Sequence, residues 1–267
     1  MASNPPGQCC TIGVKHEGEA QGEIKNVGDV PTYFSYPKDK STANAVLILT
    51  DVIGHGFINA QLYDIPVDRM EDPTTYHLLH RIADQFAANG YFTVMPDLFH
   101  GDPVPLNRPA DFDIMQWLQG PPGHLPNRVD PVVDAAIKEL KNNLGVKKLG
   151  LVGYCFGGKY VARFLKKGVA DAGYTAHPSF VDPDELKGIE GPLSIAAAET
   201  DQIFPAPKRR ETEDILKEMN IPYQLTLYSD VEHGFAVRAD ISKKPVKWAK
   251  EQAFIQAVQW FDEHVKA

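Results

Sequence analysis

The chain has 267 residues, of which 43% are apolar, so it can form a large core without disulfides or metals. Its formal net charge of −8 argues against a surface that binds nucleic acid or an anionic membrane. Of its three cysteines, Cys9 and Cys10 are adjacent and hard to pair with each other. The composition therefore excludes a disulfide framework and favours the reducing cytoplasm.

The first 21 residues are polar and rich in turn-forming residues. They lack the basic and apolar segments of a signal peptide, and no apolar run in the chain approaches the roughly 20 residues that span a bilayer. We predict that residues 1–21 form an arm over the surface that is dispensable for chemistry.

Residues 22–95 alternate between strand and helix patterns. A weak alternation broken at Gly28-Asp29 predicts a hairpin over residues 22–36. The apolar run of residues 45–49 predicts a strand buried on both faces, followed by a loop suited to bringing backbone N–H groups near a nucleophile. A helix is predicted from Asp72-Pro73 to Asn89-Gly90, and a strand over residues 91–95.

Residues 97–128 differ in composition, because six of the chain's 21 prolines fall between Pro103 and Pro126. Segments of this length without regular structure are usually functional or disordered. We predict that residues 98–128 form a loop or small cap over the carboxyl edge of the sheet. A passive surface insertion is the alternative.

The rest of the chain alternates again. A helix is expected to begin at Asp130-Pro131, and strands are predicted over residues 148–152, 172–176, 193–198 and 223–228, with helices between them and at the C-terminus. This alternation predicts mostly parallel strands covered by helices on both faces. We therefore predict one α/β domain over residues 1–267.

Residues 153–158, with the sequence GYCFGG, join a predicted strand to a predicted helix. This is the arrangement of the G-x-S-x-G elbow, with cysteine in place of serine. The glycines allow strand and helix to pack closely, so Cys155 can take a strained backbone with its sulfur over the helix N-terminus. A buried structural cysteine is the alternative, but the context favours a nucleophile.

A thiol nucleophile requires a base, and the base requires an orienting acid. Asp201 follows the strand at residues 193–198, and His233 follows the strand at residues 223–228. Taken alone, Asp201 is typical of a helix cap and His233 of a surface loop. Both follow Cys155 in the order nucleophile, acid, histidine that α/β-hydrolases use, which favours a triad.

The other histidines do not indicate a metal site. His77 and His80 share one helix face without a third ligand nearby, and no H-E-x-x-H motif occurs. His177 is a candidate for lining the pocket. We predict neither a metal nor a cofactor.

Several segments resemble the dienelactone hydrolase family of α/β-hydrolases. They are residues 50–54 (TDVIG), 95–99 (MPDLF), 153–158 (GYCFGG), 200–201 (TD) and 233–236 (HGFA). The cysteine elbow with its downstream TD and HGFA is the specific part. The adjacent cysteines and the longer N-terminus are similar to the fungal branch of the family.

The resemblance implies an α/β-hydrolase fold and hydrolysis of an ester, lactone or thioester of a small molecule through a cysteinyl acyl-enzyme. It implies Cys155 as nucleophile, His233 as base and Asp201 as orienting acid. The backbone N–H groups of Val52 and Phe156 would form the oxyanion hole.

The chain departs from the bacterial members of the family at two places. Asp51 stands where they carry a longer glutamate that governs ionisation of the cysteine, so Asp51 is expected to modulate the thiol. Their arginines that bind a substrate carboxylate are not matched, although Arg238 lies one place beyond the second of them. The candidate substrate contacts are Phe57, Phe99, Trp117, His177, Phe204, Phe235 and Arg238.

Without matched arginines, and with aromatic residues at the expected rim, we expect neutral, fairly bulky esters or lactones rather than small anionic dienelactones. A non-catalytic protein that binds small molecules on the same scaffold is the second hypothesis, because fold does not determine function. A monomer and a homodimer are both consistent with the sequence.

Overall fold

The computed structural model describes residues 2–13, 21–55, 82–109 and 111–266. The expected helix start at Asp72-Pro73, the pair His77 and His80, and the candidate contact Phe57 lie outside the described residues.

Eight strands, numbered in chain order, form one sheet. They are β1 (Glu23–Val27), β2 (Val30–Ser35), β3 (Asn44–Leu49), β4 (Phe92–Pro96), β5 (Lys148–Tyr154), β6 (Ala172–Ala176), β7 (Leu193–Thr200) and β8 (Tyr223–Glu232). Their order in the sheet is β1-β2-β4-β3-β5-β6-β7-β8. The hairpin β1–β2 and the pair β2–β4 are antiparallel, and the other pairs are parallel. Consequently the loops that follow β3, β5, β7 and β8 leave the sheet at the same edge.

Helices cover both faces of this sheet. They are α1 (Ile82–Ala88), α2 (Ile114–Gln119), α3 (Pro126–Lys138), α4 (Gly157–Phe164), α5 (Pro183–Lys187), α6 (Ala206–Glu218), α7 (Phe235–Arg238) and α8 (Lys244–His264). Among the described residues, no helix combines the length and the apolar character needed to cross a membrane.

The central strand β3 shows why the chain folds in layers. Leu47 packs in one apolar core with residues of α3, α4, α5 and α6, whereas Val46 and Ile48 pack in a second core with α1 and α8. Successive side chains of a strand point to opposite faces, so a continuous apolar run fills both cores. This architecture confirms the predicted α/β-hydrolase fold with a mostly parallel sheet.

Helix α3 begins at Pro126, so the expected start at Asp130-Pro131 is wrong. Pro126 occupies the first turn, where its missing N–H has no helical acceptor, but Pro131 lies inside the helix and removes one hydrogen bond. Asp130-Pro131 carries the stronger local start signal, because aspartate favours the N-cap position, whereas Leu125 precedes Pro126. Burial of Val129, which only the longer helix contains, favours the start at Pro126.

The proline-rich segment packs beside the turn that carries Cys155. Trp117 of α2 donates its indole N–H to the carbonyl oxygen of Asp102 at 2.8 Å, and its ring centroid lies 5.2 Å from that of Phe99. Phe99 in turn lies 5.3 Å from Phe156, the residue after Cys155. These contacts bring α2 beside the turn that carries Cys155, and a cap over the carboxyl edge of the sheet stays a prediction.

The N-terminal arm is packed into the protein, so the expectation of a surface arm is wrong for residues 2–13. Ala2, Ser3 and Cys10 are buried. The backbone N–H of Ser3 donates to Val181 O at 3.1 Å, and the N–H of Asn4 donates to Ile203 O at 2.8 Å. The arm crosses loop ends and not a regular face, which explains why its sequence lacks apolar periodicity.

Candidate active site

Cys155 lies in the turn between β5 and α4 with φ of +49°, in the left-handed region that favours glycine. The glycines around it are required sterically. A Cβ on Gly157 would lie 1.9 Å from Leu49 O, and one on Gly153 would lie 2.6 Å from Gly157 O. The predicted elbow is therefore present, and its cysteine is fully buried.

The ends of β7 and β8 bring Asp201 and His233 to this turn. His233 Nε2 lies 3.1 Å from Cys155 Sγ, and His233 Nδ1 lies 2.9 Å from Asp201 Oδ2. All three residues are buried. The structure thus joins, in one hydrogen-bonded chain, the three residues that the sequence order selected.

Asp201 is held in place by the loop that follows it. Its Oδ1 accepts hydrogen bonds from the backbone N–H groups of Ile203 and Phe204, each at 2.8 Å. The N-cap of the next helix, α6, is Pro205. The alternative in which Asp201 caps a helix is therefore not what the structure shows.

Electrostatics favour a charge-separated pair of Cys155 and His233. Burial alone would raise the pKa of the Cys155 thiol, but a hydrogen bond with Cys10 and the charge of His233 bring that pKa well below its ordinary value. Burial alone would lower the pKa of His233, but the Cys155 thiolate and the Asp201 carboxylate raise it. Each shift supports the other, so thiolate and imidazolium are favoured together.

Two neighbours of the pair were missed by the sequence analysis. Cys10 Sγ lies 3.5 Å from His233 Nε2, although 223 residues separate them along the chain. Ser179 Oγ lies 3.5 Å from Cys155 Sγ. The adjacent cysteines were the available signal for Cys10, and nothing in the sequence distinguishes Ser179.

The backbone N–H groups of Val52 and Phe156 are the expected oxyanion donors. Neither N–H has a hydrogen-bond acceptor in the described part of the chain. Val52 follows β3 and Phe156 follows the elbow cysteine, so both lie at the sheet edge that carries the triad. Their N–H groups are not engaged in secondary structure.

Asp51 and Arg238 form a buried ion pair. Burial raises the pKa of Asp51 to about 6, although the Arg238 charge lowers it. The guanidinium also donates from Nε to Ile12 O at 3.0 Å and from Nη2 to Cys9 O at 3.3 Å. Arg238 therefore ties the loop after β3 to the N-terminal arm.

Four of the aromatic candidates lie in the described part of the chain. Phe99, Phe204 and Phe235 are buried, and Trp117 is partly buried. Their role as substrate contacts stays a prediction. The ring centroid of Phe235 lies 5.7 Å from that of His177. These aromatic rings at the carboxyl edge of the sheet therefore pack in the core as well as near the candidate active site.

His177 is fully buried beneath the catalytic histidine candidate. Its ring centroid lies 5.0 Å from that of His233, and neither of its ring nitrogens has a partner among the described residues. Burial, together with the charges of His233 and Arg238, lowers its pKa well below the ordinary value. His177 is therefore a neutral wall of the site.

A cleft of about 370 Å³ reaches His233 beside the arm. Its walls include Ile12, Phe235 and Arg238. A cleft of similar size between α1 and α8 is not lined by Cys155, Asp201 or His233. Among the described residues, the first cleft is therefore a route to the histidine along the arm.

The reactive atoms of this cluster lie close together. The two sulfurs of Cys10 and Cys155 and a ring nitrogen of His233 all lie within 4.8 Å of one another. The pair His77 and His80, on which the expectation of no metal rested, lies outside the described residues.

Comparison with known proteins places the chain in a family. It is 52% identical over 266 residues to Hydrolase pyvD of Aspergillus violaceofuscus, covering 100% of both chains. It is 52% identical over 271 residues to Hydrolase tropI of Talaromyces stipitatus, covering 100% of this chain and 99% of the relative.

Among solved structures, a putative dienelactone hydrolase from Klebsiella pneumoniae superposes with a TM-score of 0.66 at 15% identity, over 91% of this chain and 98% of the other. That likeness shows the same fold. The sequence profile of the dienelactone hydrolase family matches residues 74–265. The chain belongs to the dienelactone hydrolase family.

Proposed function

We propose that this chain hydrolyses a carboxylic ester, lactone or thioester through a cysteinyl acyl-enzyme. Cys155 is the nucleophile, His233 the base and Asp201 the orienting acid. The observation that carries the proposal is the position of His233, whose ring nitrogens lie 3.1 Å from Cys155 Sγ and 2.9 Å from Asp201 Oδ2. Family membership supports a hydrolase of such bonds.

The two half-reactions use the same histidine in opposite directions. In acylation the Cys155 thiolate attacks the carbonyl carbon, a carbon–sulfur bond forms, and the alcohol or thiol leaves with a proton from His233. In deacylation neutral His233 takes a proton from water, the resulting hydroxide attacks the thioester carbon, and the Cys155 thiolate leaves. Asp201 keeps Nδ1 protonated, so that Nε2 faces the sulfur and the water.

The oxyanion of both tetrahedral intermediates would lie between the N–H groups of Val52 and Phe156. Donors without another acceptor need no reorganisation when the negative charge develops. Each well-aligned donor lowers the barrier by about 3–4 kcal/mol. The donors at this edge of the sheet thus complete the machinery for acyl transfer.

The proposed function is tested by trapping the acyl-enzyme. Mixing the protein with p-nitrophenyl acetate and quenching with acid within seconds is expected to yield one acetyl group on the peptide that contains Cys155, detected by mass spectrometry. Release of p-nitrophenol should show a burst, because the thioester forms faster than water cleaves it. A non-catalytic binding protein would give neither the adduct nor turnover of esters and lactones.

We expect neutral aryl esters and lactones to be hydrolysed at higher kcat/KM than anionic dienelactones. Arg238 is the nearest candidate for a substrate carboxylate, but its guanidinium already serves Asp51, Ile12 O and Cys9 O. A carboxylate that enters a buried site without such a partner loses its hydration without compensation. The check is a comparison of kcat/KM for cis-dienelactone with that for a neutral lactone of similar size.

The matched control for this prediction is Arg238→Met, which keeps most of the apolar volume and removes the charge. If cis-dienelactone were the better substrate and Arg238→Met abolished that preference, the proposed substrate class would be wrong. The triad assignment would not be affected by that outcome.

A further inference from the structure

The N-terminal arm is fastened to the loops that carry the triad. The backbone N–H of Phe180 donates to Asn4 O at 2.7 Å, close to Ser179, which contacts the nucleophile. The side-chain amide of Asn4 donates to Gln202 O at 3.0 Å, directly after Asp201. The far end of the described arm is held by Arg238 through Ile12 O. The arm is therefore a built part of the site.

These anchors place Cys10 against the reacting atoms. Cys10 is fully buried in a short 3₁₀ helix, Gln8–Thr11. Its sulfur lies 3.5 Å from His233 Nε2 and within 4.8 Å of the sulfur of Cys155. The Gly7 N–H donates to Cys10 Sγ at 3.3 Å, which occupies a lone pair of that sulfur and leaves its S–H for another acceptor. Cys10 is thus oriented as a donor.

We propose that Cys10 is a further catalytic residue, whose thiol donates a hydrogen bond to the sulfur of Cys155 and stabilises it as the thiolate. This inference rests on the proposed function, in which Cys155 is the nucleophile. It assigns a chemical role to the arm, which the sequence analysis expected to be dispensable.

The pKa shifts of the three cysteines support donation from Cys10 to Cys155. Burial and the hydrogen bond to Cys155 raise the pKa of Cys10 well above its ordinary value, so Cys10 keeps its proton. A hydrogen bond with Cys10 lowers the pKa of Cys9 to about 7, so Cys9 competes for the same proton. One S–H serves one acceptor at a time. Cys155 is the better acceptor because His233 stabilises its charge.

A hydrogen bond to the thiolate affects the two half-reactions differently. It increases the thiolate fraction at low pH and makes Cys155 a better leaving group in deacylation. It also lowers the nucleophilicity of the thiolate, by about threefold per unit of pKa. Loss of the donor should therefore slow deacylation and move the acid limb of the pH profile to higher pH. The plateau of kcat/KM should rise by about threefold per unit of pKa.

Among the described residues, other titrating or charged groups lie around the pair of Cys155 and His233. Besides His233, which follows β8, they are Asp201 after β7, Asp51 after β3, His177 after β6, Arg238 of α7, and Cys9 of the arm. The experiment leaves all of them unchanged and compares variants of Cys10 alone.

The test compares Cys10→Val, which keeps the volume without a donor, with Cys10→Ser, which keeps a donor. Ionisation of Cys155 is followed by the pH dependence of its alkylation by iodoacetamide, read on the Cys155 peptide by mass spectrometry. Cys10→Val should move this profile, and the acid limb of kcat/KM for p-nitrophenyl acetate, about one pH unit or more to higher pH. It should lower kcat by about tenfold. Cys10→Ser should restore most of both.

The control is Ser3→Ala, which removes the hydrogen bond from the Val181 N–H to Ser3 Oγ at 2.9 Å and leaves every thiol in place. Cys155 should titrate in this variant as it does in the wild type. A shift in Ser3→Ala equal to that in Cys10→Val, or no shift in Cys10→Val beyond a lower melting temperature, would show that the arm acts through packing alone. If Cys10→Val does not fold, the hydrogen bond of Cys10 is tested by the infrared S–H stretch of the wild type. A hydrogen-bonded thiol gives a stretching band at lowered frequency. Such a band that disappears in Cys10→Ser supports the proposal, and the absence of the band in the wild type refutes it.

Failure of this inference is distinguishable from failure of the proposed function. If turnover survives in Cys155→Ala, Cys155 is not the nucleophile and the proposed function is wrong. Loss of turnover in Cys155→Ala together with an unshifted Cys10→Val would refute the role of Cys10 and leave the proposed function intact.

Discussion

Cys155→Ala is expected to lower kcat/KM for p-nitrophenyl acetate by about 10⁴-fold or more, because removal of a nucleophile removes the covalent pathway. Alanine also carries a Cβ, so the variant keeps the left-handed backbone at φ of +49° with little change in local strain. Steady-state kinetics, with circular dichroism as the check on folding, measure the effect.

The control is Ser41→Ala, which removes one hydroxyl at an exposed position before β3. It should retain kcat/KM within about twofold, as for most substitutions outside the reacting groups. A folded Cys155→Ala enzyme that keeps a tenth of the wild-type activity would show that another group attacks the substrate.

Asp201→Asn is expected to lower kcat/KM by about 10³-fold or more, since loss of the orienting carboxylate selects the wrong histidine tautomer. The N–H groups of Ile203 and Phe204 hold Oδ1, so the asparagine oxygen should occupy that position. Its NH₂ then faces His233 Nδ1, which must lose its proton to accept a hydrogen bond. Nε2 then carries the proton and can no longer act as a base.

Asp201→Asn is also expected to change the pH dependence of kcat/KM in a definite direction. The Asp201 carboxylate raises the pKa of His233, so its removal lowers that pKa. The alkaline limb of kcat/KM, where imidazolium loses its proton, should therefore move to lower pH. Nuclear magnetic resonance of the imidazole in wild type and Asp201→Asn checks the titration directly. An unchanged His233 titration with nearly normal turnover would contradict the assignment of Asp201 as orienting acid.

Much of the site follows from local sterics and one rule of topology. The elbow needs glycine at positions 153 and 157, where a side chain would clash with other backbone atoms. This requirement is visible in the six consecutive residues GYCFGG. Parallel strands end at one edge of a sheet, so residues that follow β5, β7 and β8 meet even though they are distant in sequence. Cys155, Asp201 and His233 were therefore selected from the sequence.

The ends of the helices were harder to predict from the sequence. Asp130-Pro131 carries the stronger helix-start signal, and only burial of Val129 shows that α3 begins at Pro126. Tertiary packing of Val129 outweighs the local preference.

The sequence by itself thus determined the layered α/β fold, the elbow and the order of the three residues proposed as a triad, because each depends on neighbouring residues or on strand direction. Only the tertiary structure placed Cys10 beside the nucleophile and joined Arg238 to Asp51 and the arm. Those contacts link irregular segments, in which no periodicity reports which side chain points inward. They depend on how the arm's individual hydrogen bonds fit the loops it crosses, and that fit exists only in the folded chain.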